Sequence, residues 1–339
     1  MPWYSRHRAP WLQTLGAICA VYFALFILLP AIIRSSEESR PIPALLDISR
    51  LTPQHATTGN YTTNLIVASV KADNTSWTDR LQEQQLIPNL NIIRYISDDE
   101  NARYHPPAAK GREALMYFTY LQDFYDELAD INIFVHAEDV SWHMDAALLK
   151  SLTSALAQLD FEQVMQRGYV NLRTTWGGSR EHDCPNGFST SATLRDNPTG
   201  EAFLMGRAFH DNFPDDPMPE ILAGPCCSQF AVTKDAIRSR PLEQYQHIVR
   251  VLVDSNWSDQ AIGRPWERMW PWLFKRQAKD CNMEYSTLCR LYGVCFRDEE
   301  ERGDVVLLSN QLCVDDKDLT WWQRKRSFRP FDPKAIISV

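Results

Sequence analysis

The order of apolar and polar residues along the chain predicts a domain in which strands and helices alternate. A short apolar run rich in β-branched residues, Leu65 to Val70, predicts a strand that is buried on both faces. Trp77 to Leu86 predicts a helix, and Asn91 to Ile96 and Ile131 to Val135 predict two further strands. A long helix before the last of these strands is predicted from apolar residues at three- and four-residue spacing, namely Leu115, Phe118, Leu121, Tyr125 and Leu128. We therefore expect one α/β domain with right-handed crossovers, whose ligands bind at the carboxyl ends of the strands.

A second apolar pattern lies near the N-terminus, where Leu15 to Ile33 carry no charge. At about 1.5 Å per residue, a helix of this length spans the roughly 30 Å hydrocarbon core of a bilayer. Arg6 and Arg8 precede the run, and this positive flank favours an N-terminus in the cytosol. We predict a single-pass type II signal anchor at residues 13–33, after a cytosolic tail at 1–12. A signal peptide removed by cleavage is the alternative.

The position of the anchor sets the predicted organisation of the remaining chain. Residues 34–62 are polar and interrupted by prolines, and we expect a stem. Residues 63–339 follow as the lumenal α/β domain. Both alternatives for the N-terminal run send this domain into the secretory pathway, with the endoplasmic reticulum or the Golgi as its compartment. Three sequons in the chain after the anchor are candidate N-glycosylation sites, at Asn60, Asn74 and Asn256.

Charge and cysteine content narrow the function classes. The net charge of −8 argues against a nucleic-acid-binding protein, because such a protein needs a basic surface to neutralise phosphates. Of the eight cysteines, one lies in the apolar N-terminal run and seven follow it, so at least one of the seven is unpaired. The last four are disulfide candidates whose pairing the spacing leaves open: Cys281, Cys289, Cys295 and Cys313. Zinc is the rival, but the sequence has no CxxC pair accompanied by a second CxxC or an HxxxH.

The loop after the third strand has the largest cluster of candidate catalytic and ligand-binding side chains. His136, Glu138, Asp139 and His143 fall within eight residues beyond a buried strand. The two carboxylates are predicted to hold Mn²⁺ or Mg²⁺ against a diphosphate, since these cations take oxygen ligands. The two histidines are predicted to donate to a substrate or to act as a base. The alternative is structural: Glu138 caps the next segment and Trp142 packs in the core.

Two further candidates lie at helix starts. Lys110 and Arg112 precede the long helix and are predicted to bind a phosphate with its free N–H groups, whereas a solvated helix start is the alternative. Glu113 then serves as a first-turn acid that favours the helix. Glu267 and Trp270 share one helix face, so that a sugar ring can stack on the indole while the acid binds or activates a hydroxyl. A core tryptophan beside a surface acid has the same spacing.

Several of these segments together resemble a known family. The segments are Leu65 to Val70 with Lys71 and Trp77, the helix start at Lys110, Phe134 to His136 with Ser141 to His143, Tyr169 to Arg173, and Cys226 to Val232. In this order they resemble the largely fungal domain of unknown function 3431 family, over about Leu65 to Phe274. The family has no established reaction.

A wider resemblance is to membrane-anchored glycosyltransferases of the GT-A fold, which bind a nucleotide sugar. It implies a single GT-A-like, Rossmann-like mixed sheet flanked by helices, here preceded by one transmembrane helix. Glu138 and Asp139 match the acidic motif after a strand, and Glu267 matches the late acid that follows a Gln-Phe-x-Val strand. The usual Asp-x-Asp is absent, which puts metal dependence in question.

The sequence patterns and the two resemblances together predict one function and leave two alternatives. We expect a glycosyltransferase-like domain that moves a sugar from a nucleotide donor to a hydroxyl. The donor is held by Lys110, Arg112, Glu138, Asp139 and His136, and either Glu267 or His143 acts as the base. The first rival is a non-catalytic, membrane-anchored binding or scaffold protein of the same fold. The second is a metal hydrolase built on His136, His143 and His182.

Overall fold

The computed structural model describes five stretches of the chain, residues 59–87, 89–176, 188–191, 204–298 and 300–303. The predicted cytosolic tail, the signal anchor and most of the stem lie outside these residues, as do His182, Cys184 and Cys313. In the described part of the chain, no helix has both the length and the apolar character needed to cross a membrane.

Seven strands and ten α-helices are present in the described stretches. The strands are β1 Thr63–Ser69, β2 Leu90–Ile96, β3 Ile131–His136, β4 Tyr169–Asn171, β5 Phe188–Ser189, β6 Ile221–Leu222 and β7 Phe230–Thr233. The helices are α1 Trp77–Glu83, α2 Arg112–Asp123, α3 Leu152–Gln158, α4 Phe161–Arg167, α5 Met205–Asn212, α6 Lys234–Arg238, α7 Leu242–Asp254, α8 Asp259–Gly263, α9 Trp266–Lys275 and α10 Glu284–Tyr292. The predicted strands and helices of the first half are present, but α1 ends at Glu83 and α2 ends at Asp123, before the predicted positions Tyr125 and Leu128.

Five strands form one mixed sheet in the order β2-β1-β3-β7-β4. β1 pairs in parallel with β2 and with β3, whereas β7 is antiparallel to both β3 and β4. The chain places β2 on one side of β1 and β3 on the other, so the topology reverses between β1 and β3. A crevice forms at such a point, beyond the carboxyl ends of the two strands. β5 and β6 form a separate two-stranded sheet.

Helices cover both faces of the large sheet, because alternate strand residues point to opposite faces. One face packs against α2, α7 and α9 around an aromatic cluster, which includes Tyr117, Phe134, Phe230 and Trp270. The other face packs against α1, α3, α4 and α10 and is mainly aliphatic, with Leu65, Val135 and Leu156 at its centre. The mixed α/β sheet flanked by helices is thus confirmed.

Two disulfide bonds join described cysteines. Cys289 and Cys295 link the end of α10 to the segment after it, and both belong to the predicted disulfide candidates. The second bond joins the adjacent residues Cys226 and Cys227, which the sequence analysis did not anticipate. Cys281 is also disulfide-bonded.

Candidate functional site

The candidate site lies at the sheet edge where β1, β3 and β4 end. Because β7 runs antiparallel to its neighbours, the segment that precedes it reaches the same edge. This segment, Cys226 to Gln229, is named the 226–229 turn. Cys227 and Ser228 adopt φ angles of 86° and 48°, in the left-handed region that non-glycine residues seldom occupy. Such backbone strain is frequent at functional sites. Here the polar groups of Cys227, Ser228 and Gln229 contact residues of different elements.

The first group that the turn contacts is the Glu267 carboxylate. Glu267 lies in the first turn of α9, where Pro265 occupies the N-cap position. The backbone N–H of Cys227 donates to Glu267 Oε2 over 3.3 Å, and the Arg268 guanidinium lies 3.5 Å from the same oxygen. Burial raises the pKa of Glu267, and the neighbouring charge of Glu113 raises it further. A carboxylate of this kind takes up a proton more readily than an exposed one.

Glu113 is the second carboxylate, and its place in the site was not predicted from the sequence. The Trp270 indole N–H donates to Ser228 Oγ over 3.0 Å, and the Ser228 side chain in turn hydrogen-bonds Glu113. Burial raises the pKa of Glu113. The sequence marked Glu113 only as a first-turn acid, because its neighbour Ser228 is distant in the chain. A carboxylate beside Glu267 is the kind of pairing that shifts pKa values at catalytic sites.

Two histidines at the end of β3 form a direct pair. His136 Nδ1 and His143 Nδ1 are 3.3 Å apart, and the rings meet edge to face. Burial lowers the pKa of both to about 4, so both are neutral near pH 7. Gln229 Oε1 accepts from the His136 backbone N–H over 3.0 Å. The Nε2 atom of His136 is buried and has no hydrogen-bond partner among the described residues.

Arg173 connects the loop after β3, which carries Trp142 and His143, to the 226–229 turn. Its Nη1 atom donates to the Trp142 carbonyl over 2.7 Å and lies 3.7 Å from Cys227 Sγ. The guanidinium also stands over the Trp142 ring, 5.7 Å from its centroid. Trp142 itself is 66% exposed, so the structural alternative in which it packs in the core is wrong.

The two carboxylates predicted to hold a cation have different environments. Asp139 Oδ1 accepts from Ser151 Oγ and the Thr153 backbone N–H at the start of α3, and Oδ2 pairs with Arg80 at 3.2 Å. Glu138 is exposed. Across the described stretches, no group of three or more His, Cys, Asp or Glu side chains is placed to hold a metal ion. The Mg²⁺ or Mn²⁺ site at Glu138 and Asp139 stays a prediction, because these cations are also held by one or two carboxylates together with substrate phosphates.

The two residues predicted to bind a phosphate, Lys110 and Arg112, also have different environments. Lys110 Nζ donates to the carbonyls of Val253 and Ser255, at the carboxyl end of α7. Gly111, with a φ of 70°, donates its N–H to Asp259 Oδ1 over 2.8 Å. Arg112 is exposed and makes no hydrogen bond or ion pair within the described stretches. Of the two cations, Arg112 is the one that is available to a ligand.

The asparagines of all three sequons are exposed in the structure: Asn60, Asn74 and Asn256. Exposure is necessary for glycosylation, so each remains a candidate acceptor.

Fold and site together define an α/β domain with a mixed sheet and a polar site at the carboxyl ends of its parallel strands. The family model described as "Protein of unknown function (DUF3431)" matches residues 65–290, and the chain belongs to this family. No curated protein and no solved structure matches the chain.

Proposed function

We propose that this domain is a glycosyltransferase-like enzyme, which transfers a sugar from a nucleotide donor to a hydroxyl acceptor. The observation that carries the proposal is the pair of desolvated carboxylates, Glu113 and Glu267, which the 226–229 turn gathers at the edge where the parallel strands end. Paired acids in a shielded site suit a reaction in which one proton must leave a hydroxyl.

In this mechanism Glu267 is the general base. It accepts the proton of the acceptor hydroxyl while the acceptor oxygen forms a bond to the anomeric carbon of the donor sugar. The bond from that carbon to the diphosphate breaks, and the electron pair leaves with the diphosphate. Arg112, which carries the unpaired charge beside Glu113, stabilises the negative charge that develops there.

The place proposed for the nucleotide follows from the sheet order. Open α/β sheets bind ligands in a crevice at such a point of reversal, beyond the carboxyl ends of the two flanking strands, which here are β1 and β3. His136 ends β3 at this crevice, and its unpartnered Nε2 atom is a hydrogen-bonding group for the donor. Glu138 follows in the next loop with an unpaired carboxylate for donor hydroxyls. The resemblance to GT-A glycosyltransferases supports the same assignment.

We further propose that residues 13–33 anchor the protein as a type II membrane protein, with this domain in the lumen of the endoplasmic reticulum or Golgi. The uncharged N-terminal run supports the anchor. The exposure of the three sequon asparagines agrees with a lumenal domain.

A binding or scaffold protein of the same fold is the second candidate, and two observations favour it. Lys110 is held at the end of α7, and Asp139 is held at the start of α3. Two residues predicted to bind the donor therefore maintain internal contacts, as they would in a domain that had kept its fold without its chemistry.

The test uses purified full-length protein with UDP-, GDP- and CMP-sugars. A nucleotide that binds the native state raises the melting temperature by mass action. We expect a rise with one nucleotide class, its loss in Arg112→Ala, and its persistence in Glu267→Gln with no release of free UDP, GDP or CMP. Glu243→Gln is the matched control, because Glu243 is an exposed acid in the first turn of α7. If no nucleotide changes the melting temperature of folded protein, the scaffold candidate replaces the enzyme.

A further inference from the structure

The most exposed aromatic side chain beside the candidate site is Trp142, and nothing above assigns it a role. A single exposed apolar residue is ordinary on a protein surface, so exposure alone decides nothing. The informative feature of Trp142 is that its indole faces solvent while neighbouring side chains fix its position. Arg173 binds its carbonyl over 2.7 Å and stacks on its ring, and the His143 ring packs against it with centroids 4.2 Å apart.

Backbone hydrogen bonds to the segment before α3 also fix the loop that carries Trp142. Val140 forms a β-bridge with Ser151, and the Ser141 N–H donates to the Lys150 carbonyl over 2.9 Å. Asp139 caps α3 immediately before these residues. Trp142 is therefore a preorganised surface, and a ligand that stacks on it loses little free energy to ordering of the protein.

The two side chains that pack against the exposed ring each have a nitrogen without a hydrogen-bond partner among the described residues. Arg173 uses its Nε and Nη1 atoms in internal contacts, which leaves Nη2 unbonded within the described stretches. His143 uses Nδ1 in the histidine pair, which leaves its Nε2 atom unbonded there. An apolar face bordered by free polar groups matches a pyranose ring, which presents C–H groups on one face and hydroxyls around its rim.

We infer that Trp142, with Arg173 and His143 packed against it, forms a carbohydrate-binding subsite that holds the acceptor. Two contacts connect this subsite to the base of the proposed reaction, because Arg173 reaches Cys227 and the Cys227 N–H binds Glu267. Arg173 follows β4, so the subsite borders the β4 side of the site, and the contact of His143 with His136 joins it to the end of β3, where we place the nucleotide. The acceptor role of the bound sugar rests on the proposed function, whereas sugar binding itself can be measured independently.

The experiment is saturation-transfer NMR on the full-length protein. The ligands are the methyl glycosides of glucose, galactose and mannose, each at millimolar concentration and in excess over the protein. We expect at least one glycoside to give a signal that Trp142→Ala reduces at least tenfold and Trp142→Phe retains. Val140→Ala is the matched control, because Val140 is an exposed apolar residue of the same loop, and it should leave the signal unchanged. Melting-temperature shifts with UDP-, GDP- and CMP-sugars are recorded on the same variants.

The outcomes separate the subsite from the proposed function. If no glycoside binds wild-type protein, or if Trp142→Ala binds as well as wild type, the subsite is refuted even where a nucleotide shift persists. If Trp142→Ala abolishes a nucleotide shift and no glycoside effect is seen, the ring holds the nucleotide and the inference is overturned. A glycoside signal that depends on Trp142 in protein without any nucleotide shift supports the subsite and removes the transferase proposal.

Discussion

Substitution of Asp216 is expected to destabilise the fold strongly, because one carboxylate joins three elements around α9. Arg240 Nη2 donates to Asp216 Oδ2 over 2.6 Å, Arg276 Nη1 contacts both oxygens at 2.8 and 2.9 Å, and the Trp272 indole N–H donates over 2.7 Å. Trp272 and Arg276 lie at the end of α9, the helix whose first turn carries Glu267. The Asp216 cluster thus holds the helix that presents the proposed base.

The magnitude follows from the burial of each partner. The Arg240 and Asp216 side chains are 2% and 13% exposed, and breaking a buried ion pair costs about 3–5 kcal/mol. The Arg276 side chain is 51% exposed, so its pair adds at most about 1 kcal/mol. Loss of the acceptor for Trp272 adds about 1 kcal/mol. Asp216→Ala should therefore lose about 4–6 kcal/mol, since contacts that share one carboxylate are not fully additive.

Chemical and thermal unfolding measure this effect. For a domain of this size, such a loss lowers the melting temperature by about 8–24 °C. Asp211→Asn is the control, because it removes an exposed i,i+4 pair with Arg207 and should cost less than about 1 kcal/mol. If Asp216→Ala loses no more stability than Asp211→Asn, the argument from burial is refuted.

The pH dependence of this stabilisation has a definite sign. Burial alone would raise the pKa of Asp216, but hydrogen bonds from Arg240, Trp272 and Arg276 hold the pKa below its usual value of 3.8. A group with a depressed pKa stabilises the fold above the unfolded-state value and loses that contribution as the pH falls through the folded-state pKa. The difference between wild type and Asp216→Ala should therefore persist at neutral pH and shrink only below pH 3.8.

Three further predictions concern the candidate site and the compartment. Glu113→Gln should stabilise the protein at pH 7, because burial raises the pKa of Glu113, and this advantage should vanish in melting curves taken below its usual pKa of 4.5. Burial lowers the pKa of His136 and His143 to about 4, so stability should fall as the pH drops from 6.5 toward 4, and the double variant to Asn should flatten that part of the curve. Protein from a eukaryotic secretory host should lose mass on treatment with a peptide N-glycosidase, and an unchanged mass would count against lumenal exposure. The acceptors to replace by Gln are the three exposed sequon asparagines, Asn60, Asn74 and Asn256.

Local patterns determine how much of the fold is predictable from the sequence. The strand expected at Leu65 to Val70 is present at Thr63–Ser69, and the strand expected at Ile131 to Val135 extends by one residue to His136. Both are continuous apolar runs, which signal burial on both faces without reference to the rest of the chain. The placement of β7 between β3 and β4 is not visible in this way, because it depends on pairing between residues nearly a hundred positions apart.

The candidate site was only partly predictable for the same reason. The polar loop after β3 lies at the expected edge, since a strand end can be located from its apolar run. The roles of charged residues there depend on distant partners. Lys110 reaches carbonyls of Val253 and Ser255, and Glu113 reaches Ser228, and sequence spacing alone shows neither contact.

The 226–229 turn also decides which substitutions can distinguish chemistry from architecture. Ser228 accepts from Trp270 while it bonds Glu113, and Gln229 supports both His136 and the backbone of Leu172. A change in the turn therefore disturbs the core and the site at once, and a loss of activity there carries no mechanistic information. Glu267 makes its contact with the turn through one carboxylate oxygen and a backbone N–H. An amide at position 267 keeps that acceptor and removes only the charge, so Glu267→Gln isolates proton transfer from folding.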